Sequence, residues 1–581
     1  MLDWLESIYS DGTRDFVSSQ APKLEEKVKI SLRLLDGAPV EKIFVRRISN
    51  GAEEYIEMAK EKSFSGLSYY SAETVMNEPK LSYYFVIACK DVIYFYTQAG
   101  ITTYVPDDKH NFTLLSLYEQ PDWVKGAVYY QIFPTSFKEH SLYGVVEKIP
   151  YLKELGVTAV YLNPIFTAPS EHKYDCADYF HVDESLGGDD ALIALSKVLH
   201  EAGIRLILDI SINHTGLSYP WVKEREDFYV KDKDGSIKGW AGYKGLPVLD
   251  YRKDEVREII YRGKDSVIRK WLREPFNIDG WRFDVADVWG RNDEVQLADE
   301  LWKELCEVIR EEKKDAMIIG EHWGDCTEFL QGDLWNSSMN YFGFGRIIRQ
   351  FAGLKDLFLE RNETLRSVPY RMTAKDVVAR TDEFYSLIPQ AIADCSMNLF
   401  DSHDVSRAHN NEEIDDAKWK GIAVAQFFWT GIPCIYYGDE LEIDGYIEHD
   451  SGFRYKMLWD EEAARKSGSH FKTYQKLAWL RSNEPALSEG GRKVLFAEGQ
   501  ILAVSRFMRD NIYLGIISMD DEEKTIRIPI GLVGARDVDG SVDELGAAFE
   551  GRMVEDGVLE IKVPARKSYV IKLRSMTYEA N

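Results

Sequence analysis

Between residues 25 and 116 apolar and polar positions alternate with a period of two, in KVKISLRLL, KIFVRRI, LSYYFVIA and VIYFYTQ, and Asp-Gly, Asn-Gly and Asn-Glu-Pro turns separate the runs. This predicts an all-β module, most simply a sandwich. From Trp123 the texture changes. Short apolar runs of strand length (AVYYQIFP, VTAVYLNP, IRLILDIS, IDGWRFDVA, AMIIGEHW, LWNSSMNY, SMNLFDSHD, IPCIYYGDE) are interleaved with helical sequence, including stretches near 144–155, 189–202, 254–273 and 293–312. Eight such strands in series predict a (β/α)8 barrel. The stretch at about 211–250 has no clear period and is rich in Gly, Lys, Asp, Tyr and Trp, as expected of an elaborated loop over the active face. After about residue 484 the alternation returns (KVLFAE, ILAVSRFM, NIYLGIIS, KTIRIPI, VLEIKV, SYVIKL) and predicts a C-terminal antiparallel β-sandwich. The expected organisation is therefore multidomain: an N-terminal β-sandwich over 1–120, a TIM barrel over 121–483 and a C-terminal β-sandwich over 484–581.

One uncharged run, GIAVAQFFWTGIPCIYYG at 421–438, has the length of a membrane span. It contains Gln426 and Pro433 and breaks at Thr430-Gly431, so it reads as a buried helix followed by a buried strand. The first residues, MLDWLESIYSDGTRD, lack a basic start followed by an apolar run, and no signal peptide is expected. A formal net charge of −26 repels polyanions, which argues against nucleic acid or an anionic membrane as partner and leaves a neutral substrate unaffected. The six cysteines lie far apart with no CxxC spacing, which fits free thiols in a reducing compartment and hence a cytoplasmic protein.

In a (β/α)8 barrel the working residues project from the C-terminal ends of the strands. Four predicted strands end in unusual polarity: the third in DISINHTG, the fourth in GWRFDVA, the fifth in IIGEHW and the seventh in NLFDSHD. Residues two apart on a strand share a face, so Arg282 and Asp284 point together into the barrel mouth. A single aspartate at a strand end is more often a helix N-cap. Several carboxylates, histidines and an arginine converging on one rim are tolerated when they are used. Two opposed carboxyls are what glycosidic cleavage requires, one to attack the anomeric carbon and one to protonate the leaving oxygen. No glycine-rich phosphate loop or metal-ligand spacing competes for that site, and neither cofactor nor metal is expected.

These strand-end motifs, in this order, resemble those of the α-amylase superfamily, glycoside hydrolase family 13, and within it the neopullulanase, cyclomaltodextrinase and maltogenic amylase group. WVKGAVYYQIFP resembles the group's first barrel strand, PIFTAPSEHKYDCADY its loop with the subsite tyrosine, and GIPCIYYGDE its eighth strand. The resemblance implies a retaining mechanism in which Asp284 is the nucleophile, Glu321 the general acid and base, and Asp404 the carboxylate that holds the sugar's 2- and 3-hydroxyls. It implies that Tyr174 stacks on the sugar, that His214 and His403 bind its hydroxyls, and that Arg282 keeps Asp284 ionised while Glu321 stays protonated. For a retaining pair the carboxyl separation is expected at roughly 5 to 5.5 Å. HDSGFRYKMLWD resembles a stretch that lines the non-reducing side, which makes Asp450 and Arg454 sugar-binding candidates, although Lys456 stands where the family usually has proline.

Three departures qualify the expectation. PTSFKEHSLYG is short and lacks the Asp/Asn-rich calcium loop found after the first strand in much of the group, so no calcium is expected there. After the nucleophile the group typically reads Val-Ala-Asn-Glu, whereas this chain reads Val285, Ala286, Asp287, Val288, Trp289, which places an aliphatic and an aromatic residue on the leaving side. Trp323 is either a second stacking surface there or a residue packed under its loop. Between Trp4 and Trp123 there is no tryptophan, which disfavours starch binding by the N-terminal module; in the group this module builds a homodimer that roofs the neighbouring site. The expected substrates are maltooligosaccharides and cyclodextrins, possible lesser ones starch and pullulan. The alternatives are an α-amylase or amylopullulanase-like enzyme acting on long polymers, or a non-catalytic glucan-binding relative, which would be expected to lack one of the three carboxylates.

Overall fold

The computed structural model describes residues 2–445 and 453–575. At its centre eight short parallel strands run in the order expected of a barrel: β1 Tyr129–Ile132, β2 Ala159–Leu162, β3 Arg205–Ile210, β4 Gly280–Phe283, β5 Met317–Gly320, β6 Ser337–Ser338, β7 Met397–Asn398 and β8 Ile432–Tyr436. Each pairs with its sequence neighbour, β1 pairs with β8, and a parallel bridge between Met339 and Met397 closes the ring between β6 and β7. The inward side chains of these strands form a plug of Tyr129, Ala159, Ile207, Met317, Ile319, Met397, Ile432 and Cys434. The outward ones pack against the helices in a second, larger apolar shell. Alternation along each strand then decides what stands above the plug. Ile207 points in and so does Asp209 two residues later; Gly280 points in and so does Arg282. Asp209 and Arg282 are direct partners in the β3–β4 register, and burial of both is the cost of building a polar layer on an apolar one.

The helices differ from the periodic reading where a local residue intervenes. The helix expected near 144–155 is two pieces, Leu142–Glu147 and Ile149–Leu155, because Pro150 has no N–H to continue the first and suits the first turn of the second. The one expected near 254–273 begins as Asp254–Arg257, widens into a π turn at Glu258–Arg262, stops at Gly263 and resumes at Val267–Leu272. The one expected near 293–312 starts only at Ala298, since Arg291–Asn292 pairs with Val295–Gln296 in a small hairpin turned by Asp293 at φ 52°. The uncharged run is indeed a helix, Asp416–Phe428, followed by β8. Gly431 makes the turn at φ 122°, where a Cβ would lie 2.3 Å from the Ser396 carbonyl oxygen. Among the described residues no helix is long and apolar enough to cross a membrane.

Antiparallel sheets flank the barrel on both chain ends. A three-stranded sheet (Lys27–Leu35, Leu67–Val75, Ala59–Phe64) faces a second sheet that includes Val40–Ser49 and Lys80–Cys89, and Val28, Ile30, Leu32, Val45, Tyr83 and Phe85 fill the space between them. A five-stranded sheet containing Ile501–Met508 and Asn511–Ser518 faces a three-stranded one containing Val558–Val563 around Ala503, Leu514, Ile528 and Ile561. Both are sandwiches with the period-two signature that the sequence carries. The six cysteines are all unpaired; five are buried, and Cys89, at the end of its strand, is half-buried.

Candidate active site

The C-terminal ends of β3, β4, β5 and β7 bring Asp209, Arg282, Asp284, Glu321, His403 and Asp404 together. Arg282 has no exposed side-chain surface and is the hub. Its Nη1 donates to Asp209 Oδ1 at 2.8 Å and to Asp284 Oδ1 at 3.0 Å, and its Nε donates to the sulfur of Met339 at 3.3 Å. Its Nη2 lies 2.9 Å from Glu321 Oε2 off the N–H axis, a charge contact rather than a hydrogen bond. Burial works against the guanidinium charge but is outweighed by Asp209, Glu321 and neighbouring tyrosines, so Arg282 holds its proton more tightly than an exposed arginine.

One cation thus bridges the two carboxyls at the ends of β4 and β5. The simple expectation that it holds Asp284 ionised needs correction. Burial and the neighbouring Glu321 carboxylate raise the proton affinity of Asp284 well above that of an ordinary aspartate, and Arg282 only partly offsets them.

The turn between the two carboxyls is strained. Val285, directly after Asp284, sits at φ 43°, a left-handed conformation rare for a β-branched residue. What holds it there is Glu321: the Val285 N–H donates to Glu321 Oε2 at 2.9 Å, and the Ala286 N–H donates to the Glu321 carbonyl at 3.1 Å. The other carboxylate oxygen, Oε1, accepts the indole N–H of Trp323 at 3.1 Å. Trp323 in turn lies flat on Tyr341, with centroids 3.8 Å apart and planes 8° apart. Its position is therefore neither of the two expected ones alone: one face is packed, and the N–H orients Glu321.

Across the mouth, Asp404 is partly exposed. Arg454 Nη2 donates to its Oδ1 at 3.3 Å and Arg454 Nε to the His403 carbonyl at 3.1 Å. His403 is buried, and burial together with Arg454 and Arg282 pushes it well below the usual histidine range, so it is neutral at physiological pH. Its Nδ1 accepts from Gln131 Nε2 at 2.8 Å, which leaves the proton on Nε2, 2.7 Å from the Tyr174 hydroxyl and 3.1 Å from Asp404 Oδ2. The Tyr174 hydroxyl donates onward to Asp209 Oδ2 at 2.9 Å. Its ring lies nearly parallel to the His403 ring, 5.8 Å away at 18°. The layer is completed by Asn163, which accepts from Gln131 at 2.8 Å and donates to Tyr174 at 3.2 Å, and by Tyr161, which donates to Asp209 at 2.7 Å.

The structure thus connects Asp284, Glu321, Asp404, Arg282, Tyr174, His403, Arg454 and Trp323 in one network. His214 stands apart from it. It is buried, its ring nitrogens face Ser211 Oγ at 3.1 Å and Asn213 Nδ2 at 3.3 Å, and it lies against Trp240 at 5.5 Å, in the wall made by the long loop after β3. Burial takes it down to about 3. Asp450 lies outside the described residues. Asp287 does not point at open space: its Oδ2 pairs with His322 Nδ1 at 3.1 Å. Trp289, expected on the leaving side, is only 1% exposed and meets Tyr251 and Trp302 edge-on, so it is core. A cavity of about 450 Å³ beside the site is lined by Trp323, Tyr341, Arg346, Asp356, Leu357 and Val405. Gln131, Asn163 and Tyr161 were not foreseen. Their signal was a polar or hydroxyl residue at an inward position near the end of an apolar strand.

Comparison with known proteins gives a consistent answer. The family model for the α-amylase catalytic domain matches residues 131–241 and 240–453. A cyclomaltodextrinase of Geobacillus thermopakistaniensis is 30% identical over 84% of this chain and 86% of its own. Neopullulanase 2 of Thermoactinomyces vulgaris is 27% identical over 92% of this chain and 94% of its own. Among solved structures, a cyclomaltodextrinase superposes with a TM-score of 0.70 at 25% identity, covering 98% of this chain and all of the other.

Proposed function

The chain belongs to the α-amylase family of glycoside hydrolases, and from that premise we propose that it is a retaining enzyme that cleaves α-1,4-glucosidic bonds of maltooligosaccharides and cyclodextrins. The observation that carries the reading is the pair Asp284 and Glu321 on adjacent strand ends, bridged by the single guanidinium of Arg282. A retaining glycosidase needs two carboxyls that differ by one proton. In this reading Glu321 carries the proton, and Asp284, which accepts from Arg282, is the carboxylate that attacks.

In this mechanism Asp284 attacks the anomeric carbon while Glu321 gives its proton to the glycosidic oxygen, so the C–O bond breaks as the ester to Asp284 forms. Glu321, now ionised, takes a proton from water, and the resulting nucleophile displaces Asp284 with the original configuration restored. Arg282 stays charged throughout and stabilises whichever carboxylate is ionised. Asp404, fixed by Arg454 and His403, accepts from the 2- and 3-hydroxyls of the distorted sugar. The neutral His403 donates to a hydroxyl, Tyr174 offers its ring, and His214, Arg454 and Asp450 contact the flanking sugar.

The rest of the reading concerns setting. The divisions at 1–120, 121–483 and 484–581 delimit the N-terminal module, the catalytic barrel and the C-terminal sandwich. The unpaired cysteines fit a reducing, cytoplasmic environment. A homodimer through the N-terminal module would narrow access to short or cyclic glucans, and sedimentation of the full chain tests it. The activity itself is tested by supplying β-cyclodextrin, maltotriose, pullulan and amylose side by side and following the anomeric protons of the first products by NMR. The expected result is cyclodextrin and oligosaccharide hydrolysis with α-anomers formed first. Initial β-anomers would overturn the retaining mechanism, and rapid mid-chain attack on amylose without cyclodextrin cleavage would overturn the substrate assignment.

A further inference from the structure

Away from the carboxylate network, three residues from distant parts of the chain converge on the rim of the barrel. Asp416 opens the helix Asp416–Phe428 that follows β7, Glu442 lies on the loop after β8, and His470 sits in the first turn of the helix Ser469–Asn483. One donor atom from each lies within 4.8 Å of the other two. Asp416 and Glu442 are exposed, with 72% and 41% of their side-chain surface accessible, while His470 is 1% exposed and stacked on Trp419 at 3.5 Å and 5°.

The histidine is the informative member. Its Nδ1 lies 3.4 Å from the carbonyl oxygen of Asp439, a group that only accepts, so the ring proton of the neutral imidazole belongs on Nδ1. Nε2 then carries a bare lone pair. It is buried without a hydrogen-bond partner among the described residues, and Asp416 Oδ1, also an acceptor, stands 3.3 Å away. Two acceptors facing one another across that distance repel unless a positive charge lies between them. The Asp439 carbonyl is well fixed, since its own side chain is clamped by the buried Arg407. Glu442 Oε1 lies 3.9 Å from Nδ1, on the other side of the ring, so the exposed Glu442 side chain has to swing toward Nε2 to join Asp416. A histidine with one nitrogen donating to a backbone carbonyl and the other facing a carboxylate is the arrangement that orients imidazole for a metal.

We propose that Asp416, Glu442 and His470 form a binding site for a divalent transition-metal ion of the zinc class. One imidazole nitrogen with two carboxylate oxygens suits Zn2+, with water completing a tetrahedron, whereas Ca2+ and Mg2+ prefer all-oxygen sites. Metal–ligand distances of about 2.0 to 2.2 Å require the three donors to close in on the ion. The two carboxylates that must move are the exposed ones. The ion would pin the start of the helix after β7 to the loop after β8. The donors are separated by 26 and 28 residues in the chain, which is why no ligand spacing is visible in the sequence.

The full-length chain, stripped with EDTA and dialysed, is titrated with ZnCl2 by calorimetry and by thermal unfolding. One Zn2+ per chain should bind and raise the unfolding temperature, and CaCl2 should do neither. Asp416→Asn and Glu442→Gln, both at exposed positions, should fold as the wild type does and weaken Zn2+ binding at least tenfold. Absence of stoichiometric Zn2+ binding, an equal response to Ca2+, or unchanged Zn2+ affinity in both variants would overturn the proposal and leave His470 and Asp416 as an ion pair only. The readout does not depend on turnover, so it stands apart from the hydrolase assignment.

Discussion

At the floor of the site Arg282 and Asp209 have no exposed side-chain surface, and Asp209 accepts four hydrogen bonds from Arg282, Tyr161, Tyr174 and Asn163. A few residues further along the same chain segments, on the rim, Asp287 and His322 are 30% and 21% exposed and meet in one contact at 3.1 Å. The floor is held by strand register and by buried charges that cannot be left unpaired. The rim is held by loops and solvent-screened pairs worth little individually. Change at the floor should therefore cost chemistry or folding, and change at the rim should alter which sugar is preferred.

The strongest way to break this comparison is to replace the floor without consequence. Asp284→Asn should lower turnover by roughly 10⁴-fold or more, the loss expected of the proposed nucleophile, with circular dichroism unchanged. Asp209→Asn comes next. It strands a buried guanidinium, and chemical denaturation should show a loss of about 3 kcal/mol or more, with turnover falling as well if Asp284 and Glu321, which both lean on Arg282, act as proposed.

A third test uses the sign of the titration. The proton affinity of Asp284 is raised on folding, so the folded form gains stability from that proton below the unfolded carboxyl range and loses it as the pH rises through the raised value. Asparagine never ionises. The melting temperature of Asp284→Asn relative to the wild type should therefore climb between about pH 4, where an unfolded aspartate titrates, and neutrality. A difference independent of pH would mean that Arg282 fully offsets burial. The smallest effects belong to the rim. Trp323→Phe removes the N–H donated to Glu321 but keeps the stack on Tyr341, and kcat should fall roughly tenfold, the worth of one hydrogen bond. His322→Ala should change kcat by less than about threefold, in line with a partly exposed pair, and show itself in product ratios instead.

Much of the floor was legible in the sequence because a period of two is a geometric statement. Arg282 and Asp284 had to share a face, and eight apolar strands in series had to close. The supporting polar layer was less visible, since Gln131 and Asn163 look like isolated polar residues until β1 and β2 are set side by side. Nothing in the sequence announces that Val285 adopts a left-handed backbone. Valine is a poor choice for that conformation, and the turn is held by Glu321, far along the chain, which accepts the N–H groups of Val285 and Ala286. The leaving-side reading failed at Trp289 for a related reason: adjacency to a reacting group says nothing about direction, and the side chain turned inward to Tyr251 and Trp302.

The thiols have a practical consequence. Five of the six cysteines are sealed in the interior, and the sixth, Cys89, ends a strand of the N-terminal sandwich. A maleimide dye offered to the native protein has a single place to react, slowly, because partial burial raises that thiol. The unmodified sequence thus carries its own attachment point for a fluorophore on the module whose self-association is in question, and distance-dependent energy transfer between two labelled copies can be read without engineering a residue.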